Sequence, residues 1–251
     1  LLGTAMAGSR IVAVGLRGLI IYSDDAGASW KQASVPTQSD LVAVSFPSAK
    51  KGWAVGHGGV VLHSADAGAT WVRQLDGVKA AELAVNHYQV ASTPDAAALV
   101  EREKSLQAAG GTQPFLDVYF ENESTGFVVG TFNRIFRTAD GGKSWTPWME
   151  RTDNPGELHF YSIRGRNGSL YLTGEQGSVW RLDTATQRIV SVPTPYKGTL
   201  FGLVVTDSDA VLAFGMRGSL YRSIDQGRNW EKASLGTPAG ITGGVAMAGG
   251  G

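Results

Sequence analysis

Four copies of one eight-residue pattern, Ser/Thr-x-Asp-x-Gly-x-x-Trp, constrain this chain more than any other feature. They read SDDAGASW (23–30), SADAGATW (64–71), TADGGKSW (138–145) and SIDQGRNW (223–230). Trp30 to Trp71 is 41 residues, Trp71 to Trp145 is 74 and Trp145 to Trp230 is 85. The period is therefore 41, with an insertion of about 33 in the second interval and two repeats in the third. The degenerate repeat there, SLYLTGEQGSVWRLDTATQRI (169–189), has lost the Gly and the Trp. Units of this size cannot bury their own faces and must stack on their neighbours.

Around each copy the order is the same: an apolar strand, a turn, a strand ending in Val-Gly or similar, a Gly-containing turn, a strand running into the Asp motif, and a strand beginning at Trp. RIVAVGLRGLIIYSDDAGASW, KGWAVGHGGVVLHSADAGATW, TGFVVGTFNRIFRTADGGKSW and AVLAFGMRGSLYRSIDQGRNW follow it. Four short alternating segments per unit of about 41 residues predict an all-β β-propeller of four-stranded antiparallel blades. In blade 2 strands a to d are LVAVSF (41–46), GWAVG (52–56), VVLHS (60–64) and TWVRQ (70–74). Five blades are legible and ITGGVAMAGG (241–250) reads as the innermost strand of another, so six or seven are expected in the full ring. The 34 glycines, about twice the usual frequency of roughly 7%, fit a chain rich in tight turns. Residues 1–251 are expected to form a single propeller domain.

The Asp motif falls at the turn between strands c and d. There a carboxylate can accept from the turn's own backbone N–H groups, Gly can take a positive φ, and Trp can pack between sheets. Ser23, Asp25, Gly27 and Trp30, Ser64, Asp66, Gly68 and Trp71, Thr138, Asp140, Gly142 and Trp145, and Ser223, Asp225, Gly227 and Trp230 are thus expected to be structural. A calcium loop does not fit: counting from Asp140, the liganding positions hold Gly142 and Ser144. GKS (142–144) lacks the earlier Gly of a phosphate loop, because Arg137 stands there.

At these residues the chain resembles a known group. Ser-x-Asp-x-Gly-x-x-Trp is the Asp-box, or BNR repeat, of sialidases, sortilin-type receptors and the photosystem II stability/assembly-factor-like propellers. The last resemble it best, through a Val-Gly and an Asp-box on consecutive strands over about 230 of the 251 residues. Photosystem assembly factors bind membrane-protein subunits, and their non-photosynthetic bacterial relatives are associated with envelope transporters. The resemblance implies a non-catalytic partner protein in the periplasm or otherwise exported.

Composition removes other classes. Lys+Arg and Asp+Glu both number 22, so no net field would gather nucleic acid. With no Cys there is no disulfide, thiolate metal site or Cys nucleophile. No apolar run approaches the ~20 residues that span a bilayer, and LLGTAMAGSR lacks the basic flank of a signal peptide. His57, His63, His87 and His159 form no metal-binding pair, and no cofactor is implied. There is no G-x-S-x-G elbow. A sialidase would need an arginine triad beginning in an [FY]-R-I-P stretch, and the nearest string, NRIFRT (133–138), has Phe for Pro. No catalytic residue is assigned.

Strand direction alternates within a blade, so the b–c turns and d–a loops share the face opposite the Asp motifs. The b–c turns carry Arg17, His57, Arg134, Glu175 and Arg217, read as five equivalent positions around one mouth and as candidate binding residues, with plain solvation as the competing reading. The insertion, 78–111, lies between blades 2 and 3 on the same side. It reads as a helical hairpin, 79–91 and 94–108, with Thr93 as N-cap before Pro94 and an apolar stripe of Leu83, Tyr88, Leu99 and Leu106. The function expected is a non-enzymatic binding module docking a membrane-protein complex through that face, with an envelope transporter as one candidate. The alternative is a sialidase-like glycoside hydrolase or a glycan-binding propeller.

Overall fold

The computed structural model describes residues 1–246, and among them the fold is an all-β propeller of five blades with a helical insertion. Blade 1 is β1 (Gly3–Ala7), β2 (Arg10–Val14), β3 (Ile20–Ser23) and β4 (Lys31–Gln32); blade 2 is β5 (Leu41–Ser45), β6 (Gly52–Gly56), β7 (Val61–Ser64) and β8 (Val72–Leu75). The insertion, α1 (Gly77–Gln89) and α2 (Ala96–Ala108), precedes blade 3, which is β9 (Phe115–Phe120), β10 (Gly126–Gly130), β11 (Ile135–Thr138) and β12 (Thr146–Pro147). Blade 4 is β13 (Phe160–Arg166), β14 (Ser169–Gly174), β15 (Val179–Asp183) and β16 (Arg188–Val192), and blade 5 is β17 (Leu200–Val205), β18 (Val211–Gly215), β19 (Leu220–Ser223) and β20 (Glu231–Ala233). Each is an antiparallel sheet in chain order. The chain divides into two compact units: Leu1–Gly130 with Arg134–Glu150, and Thr131–Asn133 with the residues from Arg151 onward.

Within the first unit, Val12, Val14 and Ile20 of blade 1 pack on Leu41, Leu62 and Trp71 of blade 2. Trp53 of blade 2 stacks flat on Phe120 of blade 3, with ring centroids 3.6 Å apart. The second unit joins Tyr171 and Val179 of blade 4 to Leu200, Leu203 and Val211 of blade 5. Strand b explains the runs GWAVG and GFVVG: all five residues of β6 and of β10 are buried, and β6 shows why, since Ala54 packs towards blade 1 and Trp53 towards blade 3.

Strands a and c of blade 2 match the sequence reading to within one residue, and larger differences fall at strand d and at the expected further strand. Strand d starts one residue after Trp, as at Val72, because the Trp71 backbone N–H is spent on the Ser34 carbonyl (3.0 Å) of blade 1 instead of its own sheet. Residues 241–246 form no strand, although Ile241 N donates to Gly215 O at 2.9 Å just as Leu41 N, opening blade 2, donates to Gly15 O at 3.0 Å. The rest of the stretch read as a further inner strand, 247–250, lies outside the described residues.

Strand a of blades 2 to 5 carries a β-bulge that the sequence did not signal. The register slips between Leu41 and Ala43, opposite Val129/Gly130 between Phe115 and Asp117, between Phe160 and Ser162, and between Leu200 and Gly202. Val42, Leu116, Tyr161 and Phe201 are the extra residues, and each is half-buried. A bulge leaves one residue out of the ladder and re-aims its side chain.

Candidate functional site

The Asp-motif turns are saturated by their own side chains. In the four copies the Ser or Thr hydroxyl donates to Asp Oδ1 at 2.7–2.9 Å and accepts from the Gly N–H at 2.8 Å. Asp Oδ1 also accepts the N–H four residues on, and Oδ2 the side chain of that residue (Ser29, Thr70, Ser144 or Asn229) at 2.5–2.7 Å. Gly27, Gly68, Gly142 and Gly227 hold φ between 80° and 93°, where a Cβ would be strained. Bonds from the Ser29 hydroxyl to Asp25, and from the Asn229 N–H to Asp225, pull both carboxyls down to about 2. The Trp residues are less uniform. Trp71 and Trp145 are buried, but Trp30 is 41% exposed, so burial between sheets does not hold for the first copy.

The b–c turns share a backbone instead. Each opens at a glycine whose N–H donates four residues ahead, as Gly15 to Leu19, Gly56 to Val60, Gly130 to Arg134, Gly174 to Ser178 and Gly215 to Ser219. The second and third residues after it are both left-handed: Arg17 and Gly18, Gly58 and Gly59, Phe132 and Asn133, Gln176 and Gly177, Arg217 and Gly218. Gly is needed at the third place because a Cβ at Gly18 would strike the Thr37 carbonyl oxygen. Where Asn133 stands instead, its Oδ1 accepts from Thr152 Oγ1 (2.7 Å) and Asn154 Nδ2 (3.1 Å).

Counted from that glycine, the five candidate residues are not equivalent. His57 and Glu175 are first, Arg17 and Arg217 second, and Arg134 fourth, matching Leu19, Val60, Ser178 and Ser219 at the entry to strand c. Arg17, His57 and Arg217 are exposed and Glu175 is partly so, whereas Arg134 is fully buried. Its guanidinium lies 3.1 Å from Glu103 Oε2 on α2, an ion pair without an aligned hydrogen bond, and within 6 Å of the Phe115 and Phe136 rings (5.8 and 5.5 Å). Glu103, itself buried, also accepts from Arg102 Nη2 at 3.1 Å. Burial pulls the Arg134 pKa below its ordinary value and the Glu103 charge opposes the shift. Arg134 is therefore an anchor for the insertion and not a surface binding residue.

The insertion is fixed at a second point. Tyr88 on α1 donates to Glu150 Oε2 at 2.6 Å and accepts from the Met149 N–H at 3.1 Å. Burial, then the Glu150 charge, drive the phenol's pKa upward. Of the expected stripe Tyr88 and Leu99 are buried and Leu83 and Leu106 half-buried, with Ala80, Ala81, Ala84 and Val100 completing the covered face. The caps differ from the reading: Asp76 caps α1 by accepting from Lys79 N at 3.0 Å, and Asp95, not Thr93, precedes α2, with no side-chain bond. Gly77 packs directly on the blade 2 turn, 2.6 Å from the place a Cβ on Gly59 would take, which sets α1 beside His57. Between them opens a polar cleft of about 400 Å³ lined by Ser39, Gly58, Arg73, Asp76, Lys79 and Glu82.

Chemistry is sparse elsewhere. Arg134 and Arg137, the arginines of NRIFRT, are committed to Glu103 and to the face of Trp148 (5.3 Å). Among the described residues no group of three or more His, Asp or Glu is placed to hold a metal, and no helix is long and apolar enough to cross a membrane.

The family model described as photosynthesis system II assembly factor YCF48 matches residues 9–97 and 96–231. The chain belongs to that family. A solved structure of YCF48 bound to a D1 peptide is similar over 93% of this chain and 66% of its own length, with a TM-score of 0.63 at 16% identity. A virginiamycin B lyase of Staphylococcus aureus aligns over 99% of this chain and 74% of its own, with a TM-score of 0.67 at 13% identity, a likeness of fold alone. A Paenibacillus sp. xyloglucanase is 28% identical over 127 residues, 42% of this chain. The match spans only 12% of that enzyme.

Proposed function

We propose that this chain is a non-enzymatic, protein-binding propeller, an assembly or accessory factor that docks a membrane-protein complex through its b–c turns and helical insertion. The observation that carries the reading is what those turns expose. Leu16, Phe132 and Met216, at 57%, 45% and 41%, are large apolar side chains that the fold does not require outside, and Leu16 and Met216 each adjoin an exposed arginine, Arg17 or Arg217. Apolar anchors mixed with Arg are what protein interfaces enrich. Membership of the YCF48 family, with a relative solved on a D1 peptide, supports a protein partner. The test is affinity capture from solubilised membranes of the source organism with the intact chain and with Arg17→Glu plus Arg217→Glu. One complex captured by the first and lost by the second is expected; equal capture would remove the b–c turns from the account.

The xyloglucanase match favours a second reading, a glycan-binding or glycan-cleaving propeller. Release of reducing ends from xyloglucan by the purified chain would replace the first reading with this one. The first reading also places the chain in the periplasm or another exported compartment, and fractionation of it with cytosolic markers would contradict that placement.

A further inference from the structure

Unit by unit, the bulged residues of strand a differ in kind: Val42 and Leu116 in the first unit are aliphatic, whereas Tyr161 and Phe201 in the second are aromatic. The two aromatics meet edge to face with centroids 6.2 Å apart. The row continues from Tyr161 to His159 at 6.2 Å and from His159 to the exposed ring of Phe132 at 4.5 Å. Glu175 sits on it: Oε2 accepts from the His159 backbone N–H at 2.9 Å and lies 3.3 Å from His159 Nδ1. One third of its side chain is exposed, at 33%, and among the described residues no Lys or Arg lies within ion-pair distance of it.

We propose that this row of Phe132, His159, Tyr161 and Phe201, closed by the Glu175 carboxylate, is a cradle for an arginine or lysine side chain presented by an extended segment of the protein partner. The proposal rests on the protein-binding reading above. Charge complementarity chooses the occupant: aromatic faces carry negative charge density, and a carboxylate with no Lys or Arg beside it among the described residues adds to that density. A bulge side chain is aimed by backbone that the ladder fixes on both sides, and the edge-to-face contact of Tyr161 with Phe201 holds the two rings against each other. Burial and then the Glu175 charge push the Tyr161 phenol's pKa up.

The experiment uses the full chain on an array of twelve-residue peptides, each printed with a central Arg and with citrulline, its neutral isostere. Retention favouring Arg over citrulline is expected, falling about tenfold in Glu175→Gln and in Tyr161→Leu, the scale of a partly desolvated cation–π contact with a charged partner. Glu175→Gln keeps an oxygen for the His159 N–H, and unchanged thermal melting verifies the fold. Peptides retained with no preference for Arg, or with a preference that survives Glu175→Gln, would overturn the cradle and leave the protein-binding reading standing. No peptide retained, with xyloglucan oligosaccharide bound instead, would overturn both.

Discussion

At the c–d turns the Ser or Thr and the Asp side chains are alike and are spent on the turn; at the b–c turns the backbone is alike and the side chains differ. Ser23, Ser64, Thr138 and Ser223 make the same three bonds, and Asp25, Asp66, Asp140 and Asp225 the same bonds to the residue four places on. The second b–c position holds Arg17, Gly58, Phe132, Gln176 and Arg217 in one left-handed conformation, at φ between 53° and 68°. Nothing in the turn needs those particular side chains. A position whose conformation is fixed and whose chemistry is free is where a repeat can vary its contacts without disturbing its fold.

Mutations can break the comparison, and the largest effects are expected where a residue crosses from one category to the other. Arg134, on a b–c turn but buried against Glu103, should behave as scaffold. Arg134→Ala is expected to cost about 3 kcal/mol in urea unfolding because Glu103 Oε2 loses its buried partner and only Oε1 keeps Arg102, and Arg134→Met with Glu103→Leu should recover most of that. Within the c–d turns, Trp71→Ala should lose about 3–5 kcal/mol as a core truncation. The 41% exposed Trp30 should lose well under half as much on the same change, and equal losses would show that exposure misjudges its role.

Smaller effects sharpen the contrast. Asp66→Ala should cost about 1 kcal/mol, since the Asp66 turn is exposed and water can take over part of what the carboxylate accepts. Asp25 and Asp225, held at about 2 in the folded chain, bind protons more weakly there than in the unfolded chain. The stability they contribute is complete above pH about 4 and lost as pH falls through about 2. Melting temperature followed from pH 5 to 2 should therefore fall less steeply in Asp25→Asn plus Asp225→Asn than in the parent. Smallest of all, Arg17→Glu and Arg217→Glu should change stability by no more than about 0.5 kcal/mol while abolishing capture.

Much of the fold was legible because its signals are local and repeated. The Asp motif and the Val-Gly strand ends place the five four-stranded blades, and the Ala-rich spacing of 78–111 places two helices within a few residues. The candidate site was less legible because register decides it. Reading Arg134 as equivalent to Arg17 passed over the Gly130 anchor, which puts Phe132 at the exposed second place and Arg134 at the inward fourth. The bulges left no mark that a single strand could show: Tyr161 and Phe201 each follow a buried strand-a residue, Phe160 or Leu200, and the slip is visible only against the partner strand. The Glu103–Arg134 pair joins residues far apart in the chain, and periodicity marks α2 as a helix without showing that a carboxylate lies on its covered face.

The most direct test of the central claim is hydrogen–deuterium exchange on the chain alone and in the captured complex. New protection at 15–19, 56–60, 174–178 and 215–219, with the Asp-motif turns at 23–30, 64–71 and 223–230 unchanged, is the result this account predicts. Protection confined to the Asp-motif turns would contradict it.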